Sequence, residues 1–384
     1  MAVKQVVVLG ASGSIGRGAA DVLAANRDRF AVYALAAKNN IAELAAQAER
    51  LNPQVVITAA EDKFEALRSQ VPAGVRCACG MEAMEEIVQR PEVDIVLCAI
   101  VGTGGIRPVL AALRAGKKVA LASKEVLVLA GELVMKAAAA SPGGGIIPVD
   151  SEHSGVFQCL AGRRRDEIAK IWLTASGGPF RTWDRLRIER ASLQDALAHP
   201  TWNMGQKITI DSASMMNKAL ELVEAKYLFN VDADQLGVIV NPQSIIHALA
   251  ELTDGSMIAQ MSVPDMRLAI GYALAYPERP AKPGSRLDLS AVGKLELFAP
   301  DKEKFPSLQF ADAALRAGGT LSAVMNAANE VAVERFCRGE INFGSIWKIV
   351  EAVMNETTPA PQQSLEQVLA ADAEARVRAW QVKL

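Results

Sequence analysis

Aromatic residues are scarce, 5% Phe, Trp and Tyr within a hydrophobic content of 51%, so the apolar character is carried by Ala, Val, Leu and Ile. That balance suits parallel strands covered by helices on both faces. Neither charge is in excess: 41 basic residues stand against 43 acidic ones, a formal −2. A nucleic-acid-binding surface is argued against, while a local basic pocket for a phosphate is not. No uninterrupted apolar run reaches the roughly 18 residues of a membrane span, so no membrane partner is expected. The N-terminus runs almost directly into a strand, without the charged and apolar regions of a secretory signal. The five cysteines, at 77, 79, 98, 159 and 337, have no C-x-x-C spacing, which leaves neither a disulfide framework nor a zinc-ligand pattern. A cytoplasmic location is the expectation. The length, 384 residues, allows two or three domains.

What is present begins with Val6-Val7-Val8-Leu9 feeding into Gly10-Ala11-Ser12-Gly13-Ser14-Ile15-Gly16, then a helical pattern to about Ala25. A strand, a glycine turn and a helix in that order offer the N–H groups of a helix start to a pyrophosphate. An NAD-binding fold places an acid after the second strand, for the ribose 2′-hydroxyl. Here Ala31–Ala37 leads into Lys38-Asn39-Asn40. A cation and two amides favour the 2′-phosphate of NADP, although Asn39 and Asn40 also suit a turn and helix cap. Strand and helix patterns alternate onward to the run Ile146-Ile147-Pro148-Val149, which stops at Asp150-Ser151-Glu152-His153. Repeated units of this kind predict a doubly wound parallel sheet. Gly102-Thr103-Gly104-Gly105 and Ser123-Lys124-Glu125 also fall at strand ends, and should face the crevice of the first glycine loop. Lys124-Glu125 reads equally as an exposed helix start.

Asp150 and Glu152 are hard oxygen ligands of the kind Mg²⁺ or Mn²⁺ takes; the alternative is an Asp cap with Glu in the first turn. Further on, Ile168–Thr174 reads as a strand ending at Ala175-Ser176-Gly177-Gly178-Pro179-Phe180, which is either a phosphate-holding turn or a plain glycine turn. The polar stretch 181–205, with His199 and Trp202, suits a lid that excludes water, or a loop pinned by Trp202. Lys207–Ile210 reads as a strand, and a helical pattern starts near Ser214. Asn217, Lys218 and Glu221 then share one helical face. With Ser212 they can ring a phosphate and complete a metal site, or Lys218 and Glu221 can form an ordinary surface pair. His247, inside an apolar strand, is expected to be a core or interface histidine. Residues 277–310 have linker composition, and four helical patterns from Ala311 to Lys383 suggest a small bundle with a structural role.

Taken together, Gly10-x-x-Gly13-Ser14-Ile15-Gly16, Ser123-Lys124-Glu125, Asp150-Ser151-Glu152-His153, Ser176-Gly177-Gly178-Pro179, His199-Pro200-x-Trp202-x-Met204-Gly205-x-Lys207, Asp211-Ser212-Ala213-x-Met215-Met216-Asn217-Lys218-x-x-Glu221 and Asn241-Pro242-Gln243-Ser244 resemble, in kind and order, the 1-deoxy-D-xylulose 5-phosphate reductoisomerases. The resemblance implies an NADPH- and metal-dependent rearrangement and reduction of 1-deoxy-D-xylulose 5-phosphate to 2-C-methyl-D-erythritol 4-phosphate, in the non-mevalonate isoprenoid pathway. It implies Asp150, Glu152 and Glu221 as metal ligands. Lys124, Ser151, Glu152, Ser176, His199, Trp202, Ser212, Asn217, Lys218 and Glu221 fall to the substrate, with Lys124 and His199 also in catalytic roles. Ser12, Gly13, Ser14, Ile15, Lys38, Asn39, Asn40, Ser123, Glu125 and Gly205 fall to the cofactor. A homodimer is implied as well. The expected division is a cofactor domain at 1–149, a metal and substrate domain at 150–276 with a flap at about 181–206, a linker at 277–310, and a helical domain at 311–384. Two positions depart from the family pattern: Ser123 stands where Asn is common, and Lys38-Asn39-Asn40 where Gly-Lys-Asn is common. One rival, a decarboxylating hydroxy-acid dehydrogenase, needs an arginine cluster for a carboxylate, and Arg163-Arg164-Arg165 reads as a solvated helix end.

Overall fold

The computed structural model describes residues 2–202, 204–280 and 284–384; Asn203, in the expected flap, and Ala281 to Pro283, in the expected linker, lie outside the described residues. The chain gathers into two compact units. One comprises residues 1–126, 134–154 and 265–285, the other 127–133, 155–264 and 286–384.

In the first unit the aliphatic runs form β1 (Lys4–Leu9), β2 (Phe30–Ala37), β3 (Val55–Thr58), β4 (Arg76–Cys79), β5 (Ile95–Cys98), β6 (Lys118–Leu121) and β7 (Gly145–Pro148). They make one seven-stranded sheet in the order β4-β3-β2-β1-β5-β6-β7, with every neighbouring pair parallel. This is the doubly wound sheet that the alternating pattern predicts. Val6, Val7, Val8, Val96 and Leu97 are sealed from solvent, as strands covered on both faces must be. The strand order reverses between β1 and β5, and in open α/β sheets such a reversal is where ligands bind, outside the carboxyl ends of the strands. Gly10 forms the turn there with φ +88°, and a Cβ on it would lie 2.4 Å from the carbonyl oxygen of Ala99, just past β5. The turn is pressed on the neighbouring strand end, so only glycine fits. β6 and β7 are sheet neighbours, which carries the residues after them, Lys124 and Asp150, to adjacent places. The helix Met266–Ala275, capped by Asp265, belongs to this unit and packs on the helix Ser14–Ala25.

In the second unit, β8 (Ile168–Ala175), β9 (Leu236–Val240), β10 (Ile246–Leu252) and β11 (Met257–Met261) form a mixed sheet in the order β11-β10-β8-β9. β8 and β9 are parallel, so their carboxyl ends, which lead into Ser176 and Asn241, lie on one side. The strand expected at Lys207–Ile210 is corrected: Gln206–Ala213 is a helix. Ile208, Thr209 and Ile210 favour a strand by local preference, a bias of well under about 1 kcal/mol per residue. Helical winding instead buries Thr209, Ile210, Asp211 and Ala213 on one side and brings Lys207 Nζ within 2.6 Å of Asp211. Packing decides. The stretch 181–205 is also more ordered than its composition suggests, with short helices Arg185–Glu189 and Leu193–Leu197 capped by Asp184 and Ser192.

The helical patterns of the tail are present as Ser307–Ala317, Leu321–Cys337, Gly344–Asn355 and Leu365–Gln381. Phe343 packs edge-on against Phe180 at 5.0 Å, and against Phe336 and Trp347 at 5.4 Å between ring centroids. Contacts of this geometry contribute about 0.5–1.5 kcal/mol each beyond buried area. Phe180 ends the turn that begins at Ser176, so the cluster anchors that turn to the helical tail.

Gly10→Ala should lower stability by about 1–3 kcal/mol, the scale of one forced left-handed residue, read from the urea unfolding midpoint. An unchanged midpoint would show that the turn can move off β5 without loss.

Candidate active site

The charged end of the first unit is set by the sheet. Lys124 and Asp150 follow adjacent strands, and Lys124 Nζ lies 2.8 Å from Asp150 Oδ2, with both side chains largely out of solvent. Burial by itself would raise the pKa of the Asp150 carboxyl. The Lys124 ammonium, His153, and hydrogen bonds from Glu152 and Lys124 outweigh it and hold Asp150 well below the ordinary carboxylate range. The main-chain N–H of Ser154 donates to the Asp150 carbonyl at 2.8 Å, so Asp150 does stand at the start of the helix Ser151–Cys159. Ser151 Oγ donates to Glu152 Oε2 at 2.5 Å, turning that carboxyl toward Asp150. Two carboxyl groups in contact share a proton or a cation, and an all-oxygen set of this kind is what Mg²⁺ and Mn²⁺ prefer.

In the second unit, the turn after β8 and the helix Gln206–Ala213 converge on His199. His199 Nε2 is 3.1 Å from both Ser176 Oγ and Ser212 Oγ. His199 Nδ1 accepts from the main-chain N–H groups of Thr201 and Trp202, at 3.2 and 3.0 Å. Burial lowers the His199 pKa, so the ring is neutral at pH 7. With Nδ1 an acceptor, its proton sits on Nε2 and is shared between the two serine oxygens. Gly178 N–H donates to Ser176 Oγ as well, at 3.1 Å. Both hydroxyl protons are thereby turned outward as donors, an arrangement suited to an anion. Gly178 has φ +65°, and a Cβ there would lie 2.8 Å from the Ser212 carbonyl oxygen. The glycine turn is thus seated directly on Ser212. Asn241, after β9, receives the main-chain N–H groups of Ile245 and Ile246 on its Oδ1. That shapes the Asn241–Ser244 turn, whose Ser244 Oγ is 3.4 Å from Thr201 Oγ1.

Beyond Ser212 the backbone breaks at Met215, which is buried and left-handed at φ +63°, and resumes as the helix Met216–Phe229. Asn217 Nδ2 donates to Glu221 Oε1 at 2.5 Å, and Lys218 Nζ donates to Glu221 Oε2. The shared face expected from their spacing exists, but it is not an exposed pair: Lys218 and Glu221 are both buried. This unit therefore groups Ser176, His199 and Ser212, and separately Asn217, Lys218 and Glu221, while Lys124, Asp150, Ser151 and Glu152 are grouped in the first unit. Trp202 is half-buried, and Gly205 caps the helix Gln206–Ala213.

Of the residues expected at the cofactor, Ser12 and Ile15 are half-buried and Gly13 and Ser14 exposed, at the start of the helix Ser14–Ala25. Lys38, Asn39 and Asn40 are exposed just beyond β2, and Asn40 Oδ1 accepts from Glu43 N at 3.2 Å, capping the next helix. Ser123 and Glu125 are buried, with Ser123 Oγ donating to the Ile100 carbonyl and tying the loop after β5 to the end of β6. The arginine cluster is committed elsewhere: Arg164 pairs with Asp166, and Arg165 holds the Asn230 carbonyl and Gln235. Two residues that frame the site escape a reading of the sequence. Asp211 is hidden by the mistaken strand, since its i,i+4 relation to Lys207 exists only on a helix. Asn329, which donates to Asp211 Oδ1 at 2.8 Å, lies 118 residues away in another helix and gives no local signal.

Comparison with known proteins bears on the whole chain. Family models described as 1-deoxy-D-xylulose 5-phosphate reductoisomerase match residues 6–131, as its C-terminal domain residues 146–229, and as DXP reductoisomerase C-terminal domain residues 261–378. A 1-deoxy-D-xylulose 5-phosphate reductoisomerase of Desulfosudis oleivorans is 48% identical, with 98% of each chain covered. A solved structure of the Zymomonas mobilis enzyme of that name in complex with NADPH matches with a TM-score of 0.93 and 42% identity, covering 98% of each chain. A DOX-P reductoisomerase in complex with NADPH, fosmidomycin and magnesium matches with a TM-score of 0.93 and 38% identity, over 99% of this chain and 98% of that one.

Lys124→Met leaves the Asp150 carboxylate buried beside Glu152 without its cation. At pH 7 it should cost roughly 3 kcal/mol, the scale of breaking a buried pair. Because the folded pKa of Asp150 lies below the unfolded value of about 3.9, the stabilisation is complete above that value and fades as pH falls through the folded one. Urea midpoints of parent and variant should therefore differ most near neutrality and approach each other below about pH 4. A gap that widens on acidification would contradict the pairing.

Proposed function

Since the chain belongs to the 1-deoxy-D-xylulose 5-phosphate reductoisomerase family, we propose how its own residues divide the work of that reaction. It is an NADPH-dependent oxidoreductase that, with a divalent metal, rearranges 1-deoxy-D-xylulose 5-phosphate and reduces the product to 2-C-methyl-D-erythritol 4-phosphate. The observation that carries the assignment of roles is the contact between the Asp150 and Glu152 carboxyl groups, with Lys124 against Asp150.

Asp150, Glu152 and Glu221 hold the metal in this reading. A bound Mg²⁺ or Mn²⁺ supplies Lewis-acid polarisation of the substrate's carbonyl and adjacent hydroxyl oxygens. Lys124, fixed by Asp150, presents an ammonium where charge develops on the substrate and can give or take a proton at Nζ. Ser151 orients Glu152. The outward hydroxyls of Ser176 and Ser212, the Nε2–H of neutral His199, the amide of Asn217 and the ammonium of Lys218 anchor the substrate phosphate. That binding energy orders the flap that carries Trp202 and keeps water from the reacting carbon. On the cofactor side, the Ser12–Ile15 turn offers main-chain N–H groups to the pyrophosphate. Lys38, Asn39 and Asn40, exposed and free of acids, receive the 2′-phosphate, while Ser123, Glu125 and Gly205 line the nicotinamide end. The sheet of residues 1–149 is the cofactor domain.

The partner in this reading is a small phosphorylated sugar. A homodimer is supported by β11, an edge strand of the mixed sheet whose Met257 is half exposed. A cytoplasmic site of action is supported by five free cysteines. Among the described residues no helix is long and apolar enough to cross a membrane.

NADPH consumption with 1-deoxy-D-xylulose 5-phosphate should require added Mg²⁺ or Mn²⁺, and Asp150→Asn should lower kcat/KM by at least about 10²-fold. NADH should be the poorer donor, and Lys38→Glu should reduce the preference for NADPH. Metal-independent turnover would overturn the ligand roles, and equal use of NADH would overturn that of Lys38.

A further inference from the structure

The helix Leu321–Cys337 has no expected part in the chemistry, yet it sends one amide into the framework of the anion-binding group. Asn329 is fully buried and its Nδ2 donates to Asp211 Oδ1 at 2.8 Å. The other oxygen of the same carboxylate, Oδ2, lies 2.6 Å from Lys207 Nζ. The Asn329 amide can face a carboxylate only with its NH₂ side, so its orientation is determined, and its own Oδ1 stays buried with no hydrogen-bond partner. An unsatisfied buried amide oxygen costs about 1–3 kcal/mol. A leucine of nearly the same size would remove that cost but strip Asp211 Oδ1 of its donor. Stability alone therefore does not select asparagine here.

Position explains the choice better. Asp211 immediately precedes Ser212, whose hydroxyl meets His199. Two residues beyond Ser212, the Ser214 carbonyl accepts from Ser307 Oγ at 2.8 Å and from Trp347 Nε1 at 3.3 Å. Both donors come from the helical tail. Ser212 is held between two anchors, one on either side, and the left-handed residue Met215 follows at once. Without the Asn329 bond, the last turn of the helix Gln206–Ala213 would lose the restraint nearest to Ser212.

We infer that Asn329 is a positioning residue for the anion-binding group: through Asp211 it holds Ser212 in register with His199 and Ser176, and so contributes to affinity for the phosphate of the substrate. The inference rests on reading Ser176, His199 and Ser212 as phosphate contacts. Interactions made alike in ground and transition states change KM rather than kcat, and the loss of a group that orients a binding residue typically costs 10–100-fold.

The test compares the parent with Asn329→Leu and Asn329→Gln in the full-length protein. Inorganic phosphate is titrated by calorimetry, and steady-state kinetics follow with 1-deoxy-D-xylulose 5-phosphate and NADPH. Asn329→Leu should bind inorganic phosphate about tenfold more weakly and raise KM for the sugar phosphate by a similar factor. Its kcat should stay within about threefold and its KM for NADPH should not move. Asn329→Gln, which keeps the amide donor, should recover part of the phosphate affinity. If Asn329→Leu does not fold, Asn329→Ser is read in its place. Unchanged phosphate affinity and KM, or a fall in kcat alone, would overturn the inference, as would a parent that binds no phosphate. A parent that binds phosphate, weakened by the variant, yet does not turn over the sugar phosphate would overturn the functional reading and leave the role of Asn329 standing.

Discussion

A carboxylate taken out of water costs several kcal/mol unless a partner comes with it, and the arrangement of this site follows from how that cost is met. Lys124 lies against Asp150, Lys207 against Asp211, and Lys218 against Glu221. Each pairing uses a different regularity of the backbone. The first relies on neighbouring parallel strands, whose ends lie side by side; the second and third rely on the i,i+4 and i,i+3 neighbours of a helix. At these three places the buried carboxylate lies where a lysine can reach it. Glu152 brings a second carboxyl group onto Asp150, which gives this end of the first unit the oxygen donors that a divalent cation would take.

The readability of these features in the sequence differs for physical reasons. Strand-end residues were legible because apolar runs and glycine turns are local signals: the runs before Gly10, Ser123 and Asp150 end where β1, β6 and β7 end, within three residues. The helical face of Asn217, Lys218 and Glu221 was legible because periodicity is also local. Its burial was not, since whether an Asn-Lys-x-x-Glu face meets solvent or protein depends on what packs over it. Lys207–Ile210 misled because three consecutive β-branched residues favour a strand until the burial of Thr209, Ile210 and Ala213 is counted. Asn329 was invisible for a third reason. Its partner is 118 residues earlier, and no pattern within one helix encodes a contact of that length.

The helical tail is accordingly more than a cover. Through Phe343 it grips Phe180 at the end of the serine–glycine turn. Through Ser307 and Trp347 it holds the Ser214 carbonyl beside the strained residue Met215. Left-handed backbone at a buried methionine costs on the order of 1–3 kcal/mol, and such a conformation persists only where its neighbours over-determine it. Ser212 precedes that break and Asn217, Lys218 and Glu221 follow it, so the break sets the angle between hydroxyl donors and the charged face.

The proposed roles of Asp150, Glu152 and Glu221 require that they serve one ion. Titration of Mn²⁺ into the protein without substrate, followed by electron paramagnetic resonance of the free ion, measures this. One site is expected in the parent, weakened at least about tenfold in both Asp150→Asn and Glu221→Gln, on the scale of disturbing a metal's immediate surroundings. Parent-like affinity in Glu221→Gln, with loss confined to Asp150→Asn, would contradict it.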